Sequence, residues 1–372
     1  MSRAAQVFAL LRADEDALAA IDTEAWAALS RLADEHRIAP MLHELWHTND
    51  AVPPAVREGW AAAYRKAALD GLMQERVLLQ LADHLARAGH RPVVLKGGWL
   101  ARHVYAAPAL RPLRDIDLLV PPDELVAAYR AARSFGCAAL EMTELPLDEW
   151  ARRYKHLPAL GFDGVVVELH GRLWDAAAGA PALPRDVFAC AVPDKRHQDL
   201  QALSARHLVR HLAVHAVWIH RWDNGPLGIV DLVELCAARP HLAWDGIWHD
   251  ARTEGWDRIL ALWIAAADRW LAPGLSERTG GRVLAVPDGL VEAAGEAMVA
   301  PVAMREADRS ARRFAKRHRF AAMHLRLRRA GSPGEAARWA LDQARGWLAV
   351  RRDAGSAARY AANRALEEWL AG

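Results

Sequence analysis

Asp115 and Asp117 stand two residues apart in the run DIDLLV, and Glu168 sits in the later run VVVELH. Both runs read as β-strands, in which side chains two apart point the same way. The aspartates therefore share one face while Ile116, Leu118 and Val120 supply apolar contacts. Glu168 shares its side with Val166 and His170, opposite Val165, Val167 and Leu169. Adjacent carboxylates repel, so the arrangement calls for a cation. Oxygen ligands with little sulfur or imidazole favour magnesium or manganese over zinc. If the two strands are neighbours, the three acids converge on a two-metal site suited to in-line phosphoryl or nucleotidyl transfer.

Upstream, Gly97-Gly98 ends a strand and begins a helix, which leaves free backbone N–H groups at a dipole-positive end, a phosphate cradle in principle. Lys96 adjoins it, and Arg111 and Arg114 approach the aspartates from the other side. The chain has 43 arginines and only five lysines, so a lysine directly before the glycines invites a specific role on a phosphate. LKGGWLARHVY, LRPLRDIDLLV and VVVELHGRLW together resemble a bacterial nucleotidyltransferase family long catalogued as uncharacterised, within the polymerase β-like superfamily. HLVRHLAVHAVWIH, GIVDLVEL and WDGIWHDA resemble the helical part of that family, so the likeness runs from about residue 30 to 270. The resemblance implies a mixed sheet, an NTP donor, and Asp115, Asp117 and Glu168 as metal ligands. It further implies that Gly97 and Gly98 hold the triphosphate and that Glu168 accepts the proton of an attacking hydroxyl. The superfamily's usual Gly-Ser is Gly-Gly here, so no hydroxyl stands at that position. The gap to Asp115 is also longer than in compact members.

Other groups have blander explanations beside the chemical ones. His43-Glu44-Leu45-Trp46-His47 matches the zinc pattern H-E-x-x-H on a helix. No further histidine follows at the expected spacing and Thr48-Asn49-Asp50 ends the helix, so it reads as a chance match. His207, His211 and His215 fall at four-residue steps with His220 beyond; they line a cleft or are hydrogen-bonded in the interior, where Asp231 could pair with one of them. Tyr154, Lys155 and His156 precede the hairpin and suit substrate contact or loop packing, and His170, His211 and His215 join them as candidate substrate-binding residues. Residues 305–329 carry ten Arg or Lys against Glu306 and Asp308. That stripe suits nucleic acid or another polyanion, or else a solvated helix whose apolar side is Phe314, Phe320, Met323 and Leu327.

These groups need a scaffold, and the chain alternates in texture. Residues 1–90 read as helical, with Leu69, Leu72, Met73, Val77, Leu78, Leu81 and Leu85 at helical spacing, a stop at Gly89, and Pro53-Pro54 separating an earlier pair of helices. The α/β core is 91–174: strands at PVVLK, DIDLLV and CAALEM, a helix capped by Asp123 and closed by Gly136, and a hairpin turning at Asp163-Gly164. Residues 175–372 return to helices. The expected class is α+β, a small mixed sheet flanked by N-terminal and C-terminal helical segments. The net charge of +2 excludes nothing by itself, and the 16 tryptophans are read as packing between helices. Cys137, Cys190 and Cys236 lack metal-ligand spacing and suit free thiols. Without a signal-peptide core or an apolar run of membrane length, the expectation is a cytoplasmic protein. The functional expectation is a metal-dependent enzyme moving an NMP from an NTP to a small-molecule or peptide acceptor, with no membrane partner. The alternatives are a toxin-like or regulatory modifier of RNA or protein, and a non-catalytic NTP-binding scaffold.

Overall fold

The computed structural model describes residues 1–141, 143–175, 180–281, 284–302, 304–305 and 354–371. Four helices, α1 (Arg3–Leu11), α2 (Glu15–Leu18), α3 (Thr23–Glu35) and α4 (Ala39–Trp46), precede the long α5 (Pro54–Arg87), where the sequence suggested a pair. Proline at the start of α5 costs no hydrogen bond, because the first N–H groups of a helix have no partner within it. Gly89 leaves the helix with φ +91°. Only half of the expected apolar stripe is core. Val77, Leu78, Leu81 and Leu85 are buried, whereas Leu69 and Leu72 are about two-thirds exposed at 65% and 66%.

The central sheet holds β1 (Val93–Val94), β2 (Ile116–Leu119), β3 (Ala138–Ala139), β4 (Leu160–Phe162), β5 (Val165–His170), β6 (Val192–Pro193) and β7 (Gln201–Ala202). Their order is β3-β4-β5-β2-β1-β7-β6, with β2∥β5 and β1∥β7 parallel and the remaining pairs antiparallel. The fold is thus α+β with a mixed sheet, and the sheet continues past residue 174 through β6 and β7. The β4–β5 hairpin turns at Asp163 (φ +48°) and Gly164 (φ +77°), the double left-handed conformation that matches strand twist. Helix α6 (Lys96–His103) follows β1, and α7 (Leu125–Phe135) ends at Gly136 with φ +114°. Asp123 does not cap α7. The helix begins later, behind Glu124, and no side chain caps it; the Glu124 carboxylate is drawn to His90 Nδ1 at 2.7 Å.

Beyond the sheet come α8 (Leu147–Arg153) at the hairpin and then α9 (Ala205–Ala213), which runs on into a π-helical turn, Val214–Ile219. After these stand α10 (Leu227–Ala238), α11 (Trp244–Thr253), α12 (Asp257–Trp270), α13 (Leu275–Arg278), α14 (Asp288–Met298) and a last helix, Ala354–Ala371. One contiguous apolar core joins these helices to the sheet and the N-terminal segment. Tryptophans tie it together. The indole N–H groups of Trp46, Trp248, Trp263 and Trp270 donate to the carbonyls of Leu10, Thr279, Gly228 and Val291. Each such ring buries ~150–250 Å², about 4–6 kcal/mol of transfer free energy, with no unsatisfied donor to offset it. The three cysteines are free. No described helix is long and apolar enough to cross a membrane. Apart from Arg305, which is buried and donates to the Asp223 carbonyl, the basic segment 305–329 lies outside the described residues.

Candidate active site

The parallel register of β2 and β5 sets Asp117 directly beside Glu168. Two strand residues paired in this way project from the same face. His170, two residues beyond Glu168, has the same sense. Its Nε2 donates to Asp117 Oδ1 at 2.7 Å and lies 3.3 Å from Glu168 Oε2. Lys96 Nζ reaches the same Asp117 oxygen at 3.1 Å from the start of α6.

Asp117 is 5% exposed and His170 not at all. Burial alone would push the Asp117 carboxyl upward, but Lys96 and the His170 hydrogen bond outweigh it and hold the group well below the usual carboxylate range. The same competition lowers Glu168, where the hydrogen bond from His170 overcomes burial. Asp115 goes the other way. Burial and the neighbouring charge of Asp117 push it up to about 6, despite Lys96. Asp115 is thus the one of the three acids whose ionisation is held back, by burial first and by Asp117 second, a cost that a divalent ion relieves. Asp117, Glu168 and His170 offer ligand atoms within 4.8 Å of one another. The oxygen atoms of Asp117 and Glu168 suit a hard cation; Asp115 stands just before β2 and is not one of these three. His170 as placed is a donor bracing the carboxylates rather than a group facing substrate, which revises its expected role.

Three more expected residues gather here. Lys155 is held next to the end of β5 by its carbonyl, which accepts from Gly171 N and Arg172 N. Burial, and then Lys96, lower its ammonium, while Asp117, Glu168 and Asp175 pull the other way. His156 Nδ1 bonds the Leu157 carbonyl, and its Nε2 is 3.8 Å from Glu168. His211, fully buried, is depressed by burial and by Lys96, and among the described residues neither of its ring nitrogens has a hydrogen-bond partner. The His211 and His215 rings, four residues apart, stay in contact with centroids 5.8 Å apart, and His215 lies in the π-helical turn. A π-helix brings residues five apart into register, so His215 Nε2 meets His220 Nε2 at 3.0 Å. His207 leaves the row for Asp186 and Ser204.

Arg111 does not stand free for a phosphate. Its Nε and Nη2 grip the Asp231 carboxylate at 2.6 and 2.8 Å, and Tyr105 Oη donates to the same group at 2.6 Å. Asp231 is therefore paired with an arginine and a tyrosine, not with a histidine. Arg114 is exposed. Gly97 and Gly98 are buried, and a Cβ at Gly97 would stand 2.7 Å from Leu113 Cδ2. Glycine there lets the loop carrying Asp115 close onto α6, and no side chain caps the helix. Arg37, which no motif flagged, reaches in from the α3–α4 turn with φ +60° and donates to the Pro112 carbonyl at 3.1 Å. Its charge is felt by Asp115. The H-E-x-x-H residues lie apart from this cluster, with His47 Nδ1 engaged by the carbonyls of its own helix.

Comparison with curated proteins gives no match, nor does comparison with solved structures. The family described as uncharacterised nucleotidyltransferase matches residues 22–272, a span that takes in Arg37, the whole sheet, both buried ion-pair clusters and the histidine turn. By its sequence over two-thirds of its length, the chain belongs to this nucleotidyltransferase family.

Proposed function

We propose that the chain transfers a nucleoside monophosphate from an NTP to a hydroxyl or phosphate acceptor, a small molecule or a peptide, with magnesium or manganese held by Asp115, Asp117 and Glu168. The observation that carries this reading is the in-register pairing of Asp117 with Glu168, with Asp115 two residues upstream of Asp117. A divalent ion there would supply charge neutralisation at the α-phosphate and the departing pyrophosphate. The protein's own residues divide the remaining work. Lys96 and the uncapped first-turn amides at Gly97 and Gly98 take the triphosphate, and exposed Arg114 meets its outer end. His170 keeps the Asp117 and Glu168 carboxylates aimed together, which preorganises the ligand geometry. Arg37 and the Arg111–Asp231 pair fix the loop from which Asp115 projects.

Pyrophosphate release from each of the four NTPs, with magnesium or manganese, tests the reading. Asp117→Ala is expected to lower release by ~10³-fold or more while the circular dichroism spectrum is retained. Undiminished turnover in that variant would refute the assignment.

A further inference from the structure

One histidine nitrogen beside Glu168 makes no hydrogen bond among the described residues and sits on a side chain that remains 27% exposed. It belongs to His156, whose other ring nitrogen, Nδ1, donates to the Leu157 carbonyl at 2.8 Å. A carbonyl only accepts, so Nδ1 carries the hydrogen and Nε2 is the free position. The ring is held from other sides as well. The Trp150 indole donates to the His156 carbonyl at 2.9 Å, a backbone bridge pairs His156 with His170, and the two imidazole rings lie 5.1 Å apart. Nε2 is thereby fixed 3.8 Å from Glu168 Oε2.

That distance separates two roles for an imidazole in this site. His170 closes to 2.7 Å on Asp117, the length of a hydrogen bond to a carboxylate. At 3.8 Å, His156 and Glu168 share no hydrogen bond. Two ligands of one ion, each bonded to it at about 2.0–2.2 Å, stand about 3–4 Å from each other. A ring whose second nitrogen donates to a backbone carbonyl is also the usual state of a metal-ligating histidine. His170 lacks that arrangement, because its Nε2 is spent on Asp117 and its buried Nδ1 has no partner among the described residues.

We propose that His156 Nε2 joins Glu168 Oε2 as a ligand of the divalent ion, so that the site prefers manganese to magnesium. This rests on the nucleotidyltransferase reading and narrows its metal. Magnesium keeps to oxygen ligands and dehydrates reluctantly, whereas first-row transition ions accept imidazole nitrogen beside carboxylate. The hairpin strand β5 and the segment entering it would then hold the ion from one side, with the acid from β2 on the other.

Manganese itself is the probe. Its binding to the nucleotide-free protein is read from the loss of the free-ion EPR signal, magnesium from competition, and the ligand set from pulsed EPR of the bound ion. The wild type should bind manganese about tenfold or more tightly than magnesium and show a directly bonded nitrogen. Histidine labelled with the heavy nitrogen isotope should alter that coupling in the unmutated protein. His156→Gln and His156→Phe should each abolish the coupling and weaken manganese by about tenfold or more, with magnesium moving by less than about twofold. Bound manganese without a nitrogen ligand in the wild type refutes the proposal and leaves the carboxylate site standing. A coupling that persists in both variants assigns the nitrogen to another histidine and likewise overturns it. An equal loss for the two ions would make His156 a brace for Glu168 instead of a ligand. No manganese binding, with or without an α,β-methylene NTP, would sink both readings.

Discussion

Two buried ionic clusters lie close to the 111–117 segment, and they are built on opposite plans. At Asp231 both carboxylate oxygens are answered: Arg111 donates to each of them and Tyr105 donates to one. At Asp117 the count does not close. Lys96 and the His170 N–H both go to Asp117, Asp115 is pushed up to about 6, and among the described residues neither ring nitrogen of His211 has a hydrogen-bond partner. A closed cluster is a strut, because removing one member strands a charge in low dielectric. An open cluster is poised for something that arrives later, and its members sit in conformations that the resting fold would not choose alone. Lys96 has φ +45°, a region that side chains bearing a Cβ seldom occupy.

The sharpest way to break this contrast is at the strut. Asp231→Ala leaves the Arg111 guanidinium unpaired and should cost about 3–5 kcal/mol of stability, measured by urea unfolding. A loss under about 1 kcal/mol would mean that the pair is no strut. The open cluster should respond in the other direction. Because Asp115 is raised in the folded protein, the folded state holds its proton more tightly than the unfolded chain does. Ionising it therefore costs stability progressively as pH rises from the ordinary carboxylate range through about 6. Asp115→Asn removes that cost. Without metal it should stabilise the protein at pH 7.5 by about 2–3 kcal/mol, and the gain should shrink toward pH 5. A variant less stable than wild type at pH 7.5 would place Asp115 among the struts. The smallest effect belongs to the zinc-like motif. His47 is exposed and bonded only to its own helix; His47→Ala should move stability by less than about 0.5 kcal/mol and leave pyrophosphate release untouched. Stoichiometric zinc in the wild type that is lost in the variant would contradict this.

What the sequence could reveal follows the same division. The strands that carry Asp117 and Glu168 were legible because strand alternation is a local rule, and the hairpin between β4 and β5 because Asp-Gly encodes its own turn, whereas Asp115 falls just before β2 instead of within it. The strut was not. Arg111 and Asp231 are 120 residues apart, and nothing local tells an arginine whether its fork will meet a phosphate or a carboxylate. Arg37 was missed for the same reason, since it acts on the Asp115 loop from a helix turn in the N-terminal segment. The histidine row was legible in part: His211 and His215 stay in ring contact, while His207 turns to Asp186 and Ser204. A four-residue step was the right inference for an α-helix, but the π-helical turn after Ala213 resets the period and hands His215 to His220. The strands β6 and β7, two residues each, are too short to leave a pattern. Leu69 and Leu72 followed the helical period yet remain exposed, because periodicity marks a face without saying how far along the helix its neighbours extend.

The pairing of β2 with β5 has a consequence in time. Asp117 and Glu168 become neighbours only when two strands separated by helices α7 and α8 and strands β3 and β4 close in parallel, a contact of high sequence separation that is slow to form. No nascent fragment ending before β5 contains the acid pair, and no local stretch of the chain imitates it. An ion that needs both carboxylates can be captured only after the sheet has closed, so ion capture reports completed folding and plays no part in nucleating it.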